Sequence, residues 1–240
     1  MSAMLSPNMM IPATGGEMAG FLALPGSPPR TTVLIAVELW GMTRHMQEVA
    51  ERLAGAGHAA LVMDLFRGAR PPAPQDPPEC WAATFEEFDD VRATRDCRCA
   101  LSWVLAGGVG RMPGPVAAWG FCMGGRFAHN LAAFDLRLAG AINFYGRINF
   151  PRMAAKPFLP IEVTPMIECP YLGVFAGADP LIPPADVAAL RAGLAGNPHA
   201  RIKEHPEARH AFFNDHRDTY HPQAASCAWA SVTTFLDELA

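Results

Sequence analysis

The chain has 240 residues, 50% of them hydrophobic, with a formal net charge of −4 and a pI near 6.0, enough for one domain with a sizeable core. Its 19 Lys and Arg are scattered, so no basic face exists to hold nucleic acid. No run of 18 apolar residues is long enough to cross a membrane. Residues 1–10 lack the basic-then-apolar pattern of a secretion signal, so a cytoplasmic protein is expected.

In chain order, residues 8–24 predict a hairpin turned at Thr14-Gly15-Gly16-Glu17, an N-terminal extension of the sheet within residues 1–30. Thr31 to Val37 is a β-branched apolar run, the pattern of a central buried strand. Thr43 to Gly57 carries Met46, Val49, Ala50 and Leu53 at helical spacing and ends in Gly55-Ala56-Gly57. His58 to Met63 is the next strand. Gly68 to Pro78 is proline-rich and predicts a long surface loop near the mouth of any site. A helix is expected over Glu86 to Ala106, and an apolar run, Pro115 to Ala118, leads into a second helix at Arg126 to Phe134. Leu138 to Phe144 and Tyr171 to Ala176 read as strands, with a proline-rich excursion over Asn149 to Glu168 between them. Arg201 to His205 alternates polar and apolar residues like an edge strand. Helices over Pro184 to Ala195 and Gln223 to Leu239 complete the set. This alternation predicts a single α/β domain over 1–240, its sheet mostly parallel with helices on both faces.

The stretch Trp119-Gly120-Phe121-Cys122-Met123-Gly124-Gly125 sits between a strand and a helix. G-x-nucleophile-x-G at such a junction is a nucleophile elbow, here with cysteine in the usual place of serine. Glycine is needed on either side because the turn is sharp and neighbouring chain must approach closely. The helix that follows would favour a thiolate at its N-terminus. A buried core cysteine beside a glycine-rich turn is the plainer alternative. The remainder of the chain favours the nucleophile. A base and an orienting carboxylate should follow in the order nucleophile, acid, histidine. Asp179 lies just past the Tyr171–Ala176 strand, where open α/β sheets place their ligands, and His210 lies in a late loop.

The six cysteines, at 80, 97, 99, 122, 169 and 227, are dispersed and predict reduced thiols. Cys97 and Cys99 fall within a helix at i and i+2 and face different ways, so no structural metal is expected. His129, His199, His205, His216 and His221 show no ligand spacing and read as ordinary polar or partly buried residues.

The segments Val37-Glu38-Leu39-Trp40-Gly41, Asp64-Leu65-Phe66, Gly120-Phe121-Cys122-Met123-Gly124-Gly125, Gly177-Ala178-Asp179 and His210-Ala211-Phe212 run from the first third of the chain to its last. With them the chain resembles the dienelactone hydrolase (carboxymethylenebutenolidase) family of α/β-hydrolases. The resemblance implies a Cys122–Asp179–His210 triad, with the amides of Leu39 and Met123 forming an oxyanion hole. It also implies that Glu38, whose unpaired carboxylate in an apolar interior would be costly, accepts the thiol proton when substrate binds. Well-known members hold a substrate carboxylate with two arginines. Here the position four after His210 is Asn214, and the earlier stretch reads Pro78-Glu79-Cys80-Trp81. Trp40, Trp81, Tyr145, Phe212 and Phe213 could line a more apolar pocket, with Asn214 as a neutral donor. The expected activity is cofactor-free hydrolysis of a small lactone or ester by a monomer or small homo-oligomer. A general carboxylesterase or thioesterase, or a non-catalytic ligand- or redox-sensing relative, remains open.

Overall fold

The computed structural model describes residues 5–110 and 114–240. Residues 1–4, which begin the expected N-terminal extension, and residues 111–113 lie outside the described residues. The strands are β1 (Met9–Ala13), β2 (Gly16–Ala23), β3 (Thr32–Ala36), β4 (Ala59–Met63), β5 (Val116–Phe121), β6 (Gly140–Phe144), β7 (Tyr171–Ala176) and β8 (Ala200–His205). They form one sheet in the order β1-β2-β4-β3-β5-β6-β7-β8. Pairing is antiparallel for β1 with β2 and β2 with β4, and parallel elsewhere.

Burial explains the sequence patterns. Every residue of β3 to β7 is buried, as expected for parallel strands covered on both faces by helices. By contrast β8 alternates half-buried and exposed residues at the far edge. The predicted hairpin is present, and β2 joins it to β4 as the antiparallel end of the sheet.

Helices α1 (Arg44–Gly55), α4 (Met123–Phe134), α6 (Pro184–Gly193) and α7 (Pro222–Leu239) fall where the periodicity places them. In α1 the buried face contains Met46, Val49, Ala50 and Leu53, joined by His45. The expected helix over Glu86 to Ala106 is wrong in its start. The chain instead forms α2 (Pro78–Glu87), then an extended Phe88, then α3 (Asp90–Leu105). Pro78 opens α2, where its missing N–H is harmless. Asp89 accepts a hydrogen bond from the Arg92 amide at 2.9 Å and so starts α3 afresh. Because α2 buries none of its residues, it has no apolar stripe for periodicity to detect. The 149–168 excursion holds the short α5 (Pro160–Val163) and a 3₁₀ turn, Thr164–Met166. His129 is not a partly exposed residue but wholly buried, bonded to the Tyr171 hydroxyl at 2.9 Å and the Pro160 carbonyl at 3.0 Å.

The registry fixes the site. Ala36 lies opposite Gly120 and Phe144 opposite Phe121, so the C-terminal ends of β3, β5 and β6 meet beside residue 122. No described helix is long and apolar enough to cross a membrane.

Candidate active site

Cys122 stands between β5 and α4 with φ 52° and ψ −115°, a backbone state that L-residues seldom adopt. Its amide donates to the Phe144 carbonyl at 3.0 Å, and its carbonyl accepts from Gly125 at 3.0 Å. The flanking glycines are required by contact. A Cβ on Gly120 would lie 2.0 Å from the Gly124 carbonyl oxygen, and one on Gly124 would lie 2.1 Å from that of Ala36. Met123 opens α4, so its amide is among the first-turn N–H groups with no acceptor inside the helix. Leu39 lies in the turn after β3 that is closed by the Gly41 amide on the Glu38 carbonyl at 3.0 Å.

Asp179 follows β7 in a loop tied to the histidine segment by two backbone bonds, Gly177 to His205 at 2.8 Å and Ala178 to Ala208 at 3.0 Å. Its Oδ1 accepts from the Leu181 amide at 2.8 Å, which orients the carboxylate, and its Oδ2 takes the His210 Nδ1 at 2.6 Å. Burial works against charging His210. Negative charge at Cys122 and the bond to Asp179 outweigh it, lifting the pKa from 6.5 to about 10. The thiol is thus close enough to be the strongest influence raising the imidazole. Nε2 itself makes no well-formed hydrogen bond, as is common before substrate tightens such a site.

Glu38 is 1% exposed. Its Oε2 accepts from Asn214 Nδ2 at 3.1 Å, while Oε1 has no hydrogen-bond partner. Asn214, expected to face substrate, is thus buried and engaged with Glu38. Tyr145, also wholly buried, directly follows β6 with φ 40°. Burial, then the nearby charges of Glu38, Cys122 and Asp179, push its phenol pKa well above the usual value. Neither its hydroxyl nor Glu38 Oε1 makes a well-formed hydrogen bond, although the carboxylate is near enough to raise the phenol. The Tyr145 ring also packs edge-on to His210, centroids 5.2 Å apart. A bulky residue with positive φ marks strain. The sequence named Tyr145 only as a pocket aromatic, though it directly follows β6 as Glu38 comes after β3.

The other aromatics divide. Trp40 and Trp81 meet edge-to-face at 5.2 Å. Trp40 borders a cavity of about 840 Å³ shared with Thr43, Asn214, Arg217 and the loop 68–75. Phe212 and Phe213 are buried core residues, with Phe212 against Tyr145 and Phe213 stacked on Phe121. Sequence reasoning missed Arg217, whose guanidinium lies over the Trp40 ring at 5.1 Å and whose Nη1 is buried without a partner. Arg126, which the sequence offered as an alternative cation for a substrate carboxylate, is instead sealed in the interior on Asp90 at 2.8 Å with Lys156 on the same carboxylate at 3.2 Å.

A parallel sheet with a strained elbow after β5, an acid after β7 and a histidine in the last long loop defines an α/β-hydrolase. The match is closer than the class. The model of the dienelactone hydrolase family matches residues 18–240. A candidate carboxymethylenebutenolidase of Escherichia coli is 30% identical over 225 residues, covering 91% of this chain and 82% of its own. One from Saccharolobus solfataricus is 28% identical over 257 residues, covering 92% and 94%. The crystal structure of a candidate dienelactone hydrolase from Klebsiella pneumoniae superposes with a TM-score of 0.86 at 28% identity, covering 95% of this chain and 96% of that one. The chain belongs to the dienelactone hydrolase family, and with that membership goes a carboxylic ester hydrolase activity on lactones or esters.

Proposed function

We propose that the chain hydrolyses a small lactone or ester through a cysteine nucleophile, as one α/β-hydrolase domain acting in the cytoplasm. The observation that carries this reading is the 2.6 Å Asp179–His210 contact beside Cys122 at a strained elbow. The Cys122 thiolate attacks the carbonyl carbon, and the oxyanion forms against the amides of Leu39 and Met123. His210 then donates its proton to the leaving alkoxide as the tetrahedral adduct collapses to an acyl-thioester. Water, deprotonated by His210, attacks that thioester. Collapse releases the carboxylic acid and returns the thiolate. Asp179 holds the imidazole in one tautomer throughout. Glu38 would take the thiol proton, with Asn214 holding its Oε2. No cofactor enters these steps.

Turnover of a chromogenic ester, with and without prior alkylation of the protein, tests the reading. Alkylated protein should be inactive, and Cys122→Ala should match it. Full turnover after alkylation of Cys122 would rule out the cysteine route.

A further inference from the structure

Away from the nucleophile, the first turns of α1 meet the loop that follows Asn214. His45 and Glu48, three apart on α1, present ligand atoms to Asp215, all within 4.8 Å of one another. His45 Nδ1 is 3.5 Å from Asp215 Oδ1, His216 Nε2 is 3.8 Å from the same oxygen, and His216 Nε2 is 2.6 Å from Glu48 Oε2. Tetrahedral zinc with bonds of ~2.0–2.1 Å sets its donors about 3.3 Å apart; those of His45, Glu48 and Asp215 lie within 4.8 Å of one another and His216 Nε2 adjoins both carboxylates, so side-chain adjustment would close a shell.

We propose that His45 Nδ1, Glu48 Oε2, Asp215 Oδ1 and His216 Nε2 form a binding site for a divalent transition-metal ion of the zinc or cobalt kind.

His45 is the independent sign of a missing partner. The residue is 3% exposed, with the ring set among Phe121, Phe213 and His216. Yet Nε2 has no hydrogen-bond partner, and the contact of Nδ1 with Asp215 is longer than a good hydrogen bond. A buried polar ring left so poorly satisfied is costly, and a metal on Nδ1 would replace its long contact with Asp215 by a bond, though Nε2 on the far side of the ring would stay unpaired. Glu48 can serve because Arg44 holds only its other oxygen, Oε1, at 2.8 Å. Two imidazoles with two carboxylates select a borderline transition ion over calcium or magnesium, which prefer an all-oxygen shell. The site is also wired to the candidate active site. The His216 amide donates to Asn214 Oδ1 at 3.0 Å, and Asn214 Nδ2 donates to Glu38 at 3.1 Å. Fastening this loop to α1 therefore fastens the residue that holds Glu38. The sequence conceals the arrangement because its halves come from opposite ends of the chain.

The test titrates Co²⁺ and Zn²⁺ into full-length protein carrying Cys122→Ala, which removes the nucleophilic thiol as a competing ligand. One equivalent of Co²⁺ should bind with a visible spectrum lacking thiolate charge transfer. Zn²⁺ should displace it, while Mg²⁺ and Ca²⁺ should not. Adding Glu48→Gln and Asp215→Asn, both on partly exposed side chains, should weaken Zn²⁺ at least about tenfold. It should also abolish the rise in Tm that Zn²⁺ gives the parent, with an unchanged circular dichroism spectrum showing that the variant folds. A thiolate band, equal competition by Ca²⁺, or undiminished affinity in the folded double variant would overturn the proposal.

Discussion

Asn214 and Glu38, 176 positions apart in sequence, are joined by a buried hydrogen bond of 3.1 Å from the amide nitrogen to the carboxylate. The bond lets Asn214, which also lines the cavity beside Trp40, hold a carboxylate buried at the site. Asn214→Ala should leave Glu38 buried with both oxygens unpaired, at a cost of about 1–3 kcal/mol. Chemical denaturation measures that cost, and kcat should fall with it. Unchanged stability and unchanged kcat would mean that the bond has no role in holding Glu38.

Cys122→Ala should remove hydrolysis while preserving the fold, because a small elbow side chain gives way to a smaller one. Cys122→Ser should keep only slight activity, since a hydroxyl is far harder to ionise than a thiol. Circular dichroism alongside ester turnover separates loss of chemistry from loss of structure. An active alanine variant would refute the nucleophile.

His210 offers a titration. Its pKa is lifted to about 10 by Cys122 and Asp179 against the effect of burial. The stabilisation from charging it is fully present below pH 6.5 and is lost as pH rises through about 10. In Cys122→Ala the strongest raising influence is gone, so His210 should titrate at lower pH than in the parent, as read by NMR of its ring protons. Asp179→Asn should lower the pKa too, and should reduce kcat by several orders of magnitude through loss of the tautomer, up to ~10⁴-fold. A His210 titration unmoved by either change would separate it from the pair.

Much of this was legible because strand burial and elbow sterics leave strong local marks. The fully buried parallel strands are continuous apolar runs, and Gly120 and Gly124 stand where only hydrogen fits. Asp179 and His210 were legible through their order and their places after strands. What escaped notice lacked a local signal. Helix α2 buries nothing, so it has no stripe. The inward role of Asn214 depends on Glu38 across the whole domain, and Arg126 meets Asp90 and Lys156 only through tertiary packing. Phe212 was placed with pocket aromatics because ring identity alone does not say which side of a loop faces the core.

Gly124→Ala tests the elbow as packing. The new Cβ would press on the backbone oxygen of Ala36 in the central sheet at 2.1 Å, where no side chain can swing aside. Destabilisation of about 3 kcal/mol or more is expected, or failure to fold. Ala at Gly196, where an added Cβ meets nothing within 4 Å, is the control and should change stability little. Equal stability of the two variants would contradict the observed close approach.

Substrate charge is the last test, and local chemistry here opposes the simplest transfer from relatives. Asn214 carries no charge and spends its donor on Glu38. Arg126 is sealed on Asp90, and Arg44 lies outside on Glu48. A neutral lactone should therefore be hydrolysed at least as well as its carboxylate-bearing analogue, by kcat/KM on a matched pair. A charge-assisted, bidentate contact to a guanidinium is the usual means of preferring the anion, and one such bond is worth at most about 1.5–3 kcal/mol. Arg217 is the cation to test first, since it stacks on Trp40 at the rim of the cavity with Nη1 unpaired, while Arg70 and Arg209 line the same cavity. If the parent prefers the anion and Arg217→Gln erases that preference through KM with kcat intact, the anchor has moved to Arg217. A preference for the anion that survives Arg217→Gln would put the anchor on another cation, with Arg70 and Arg209 of the same cavity the next to replace.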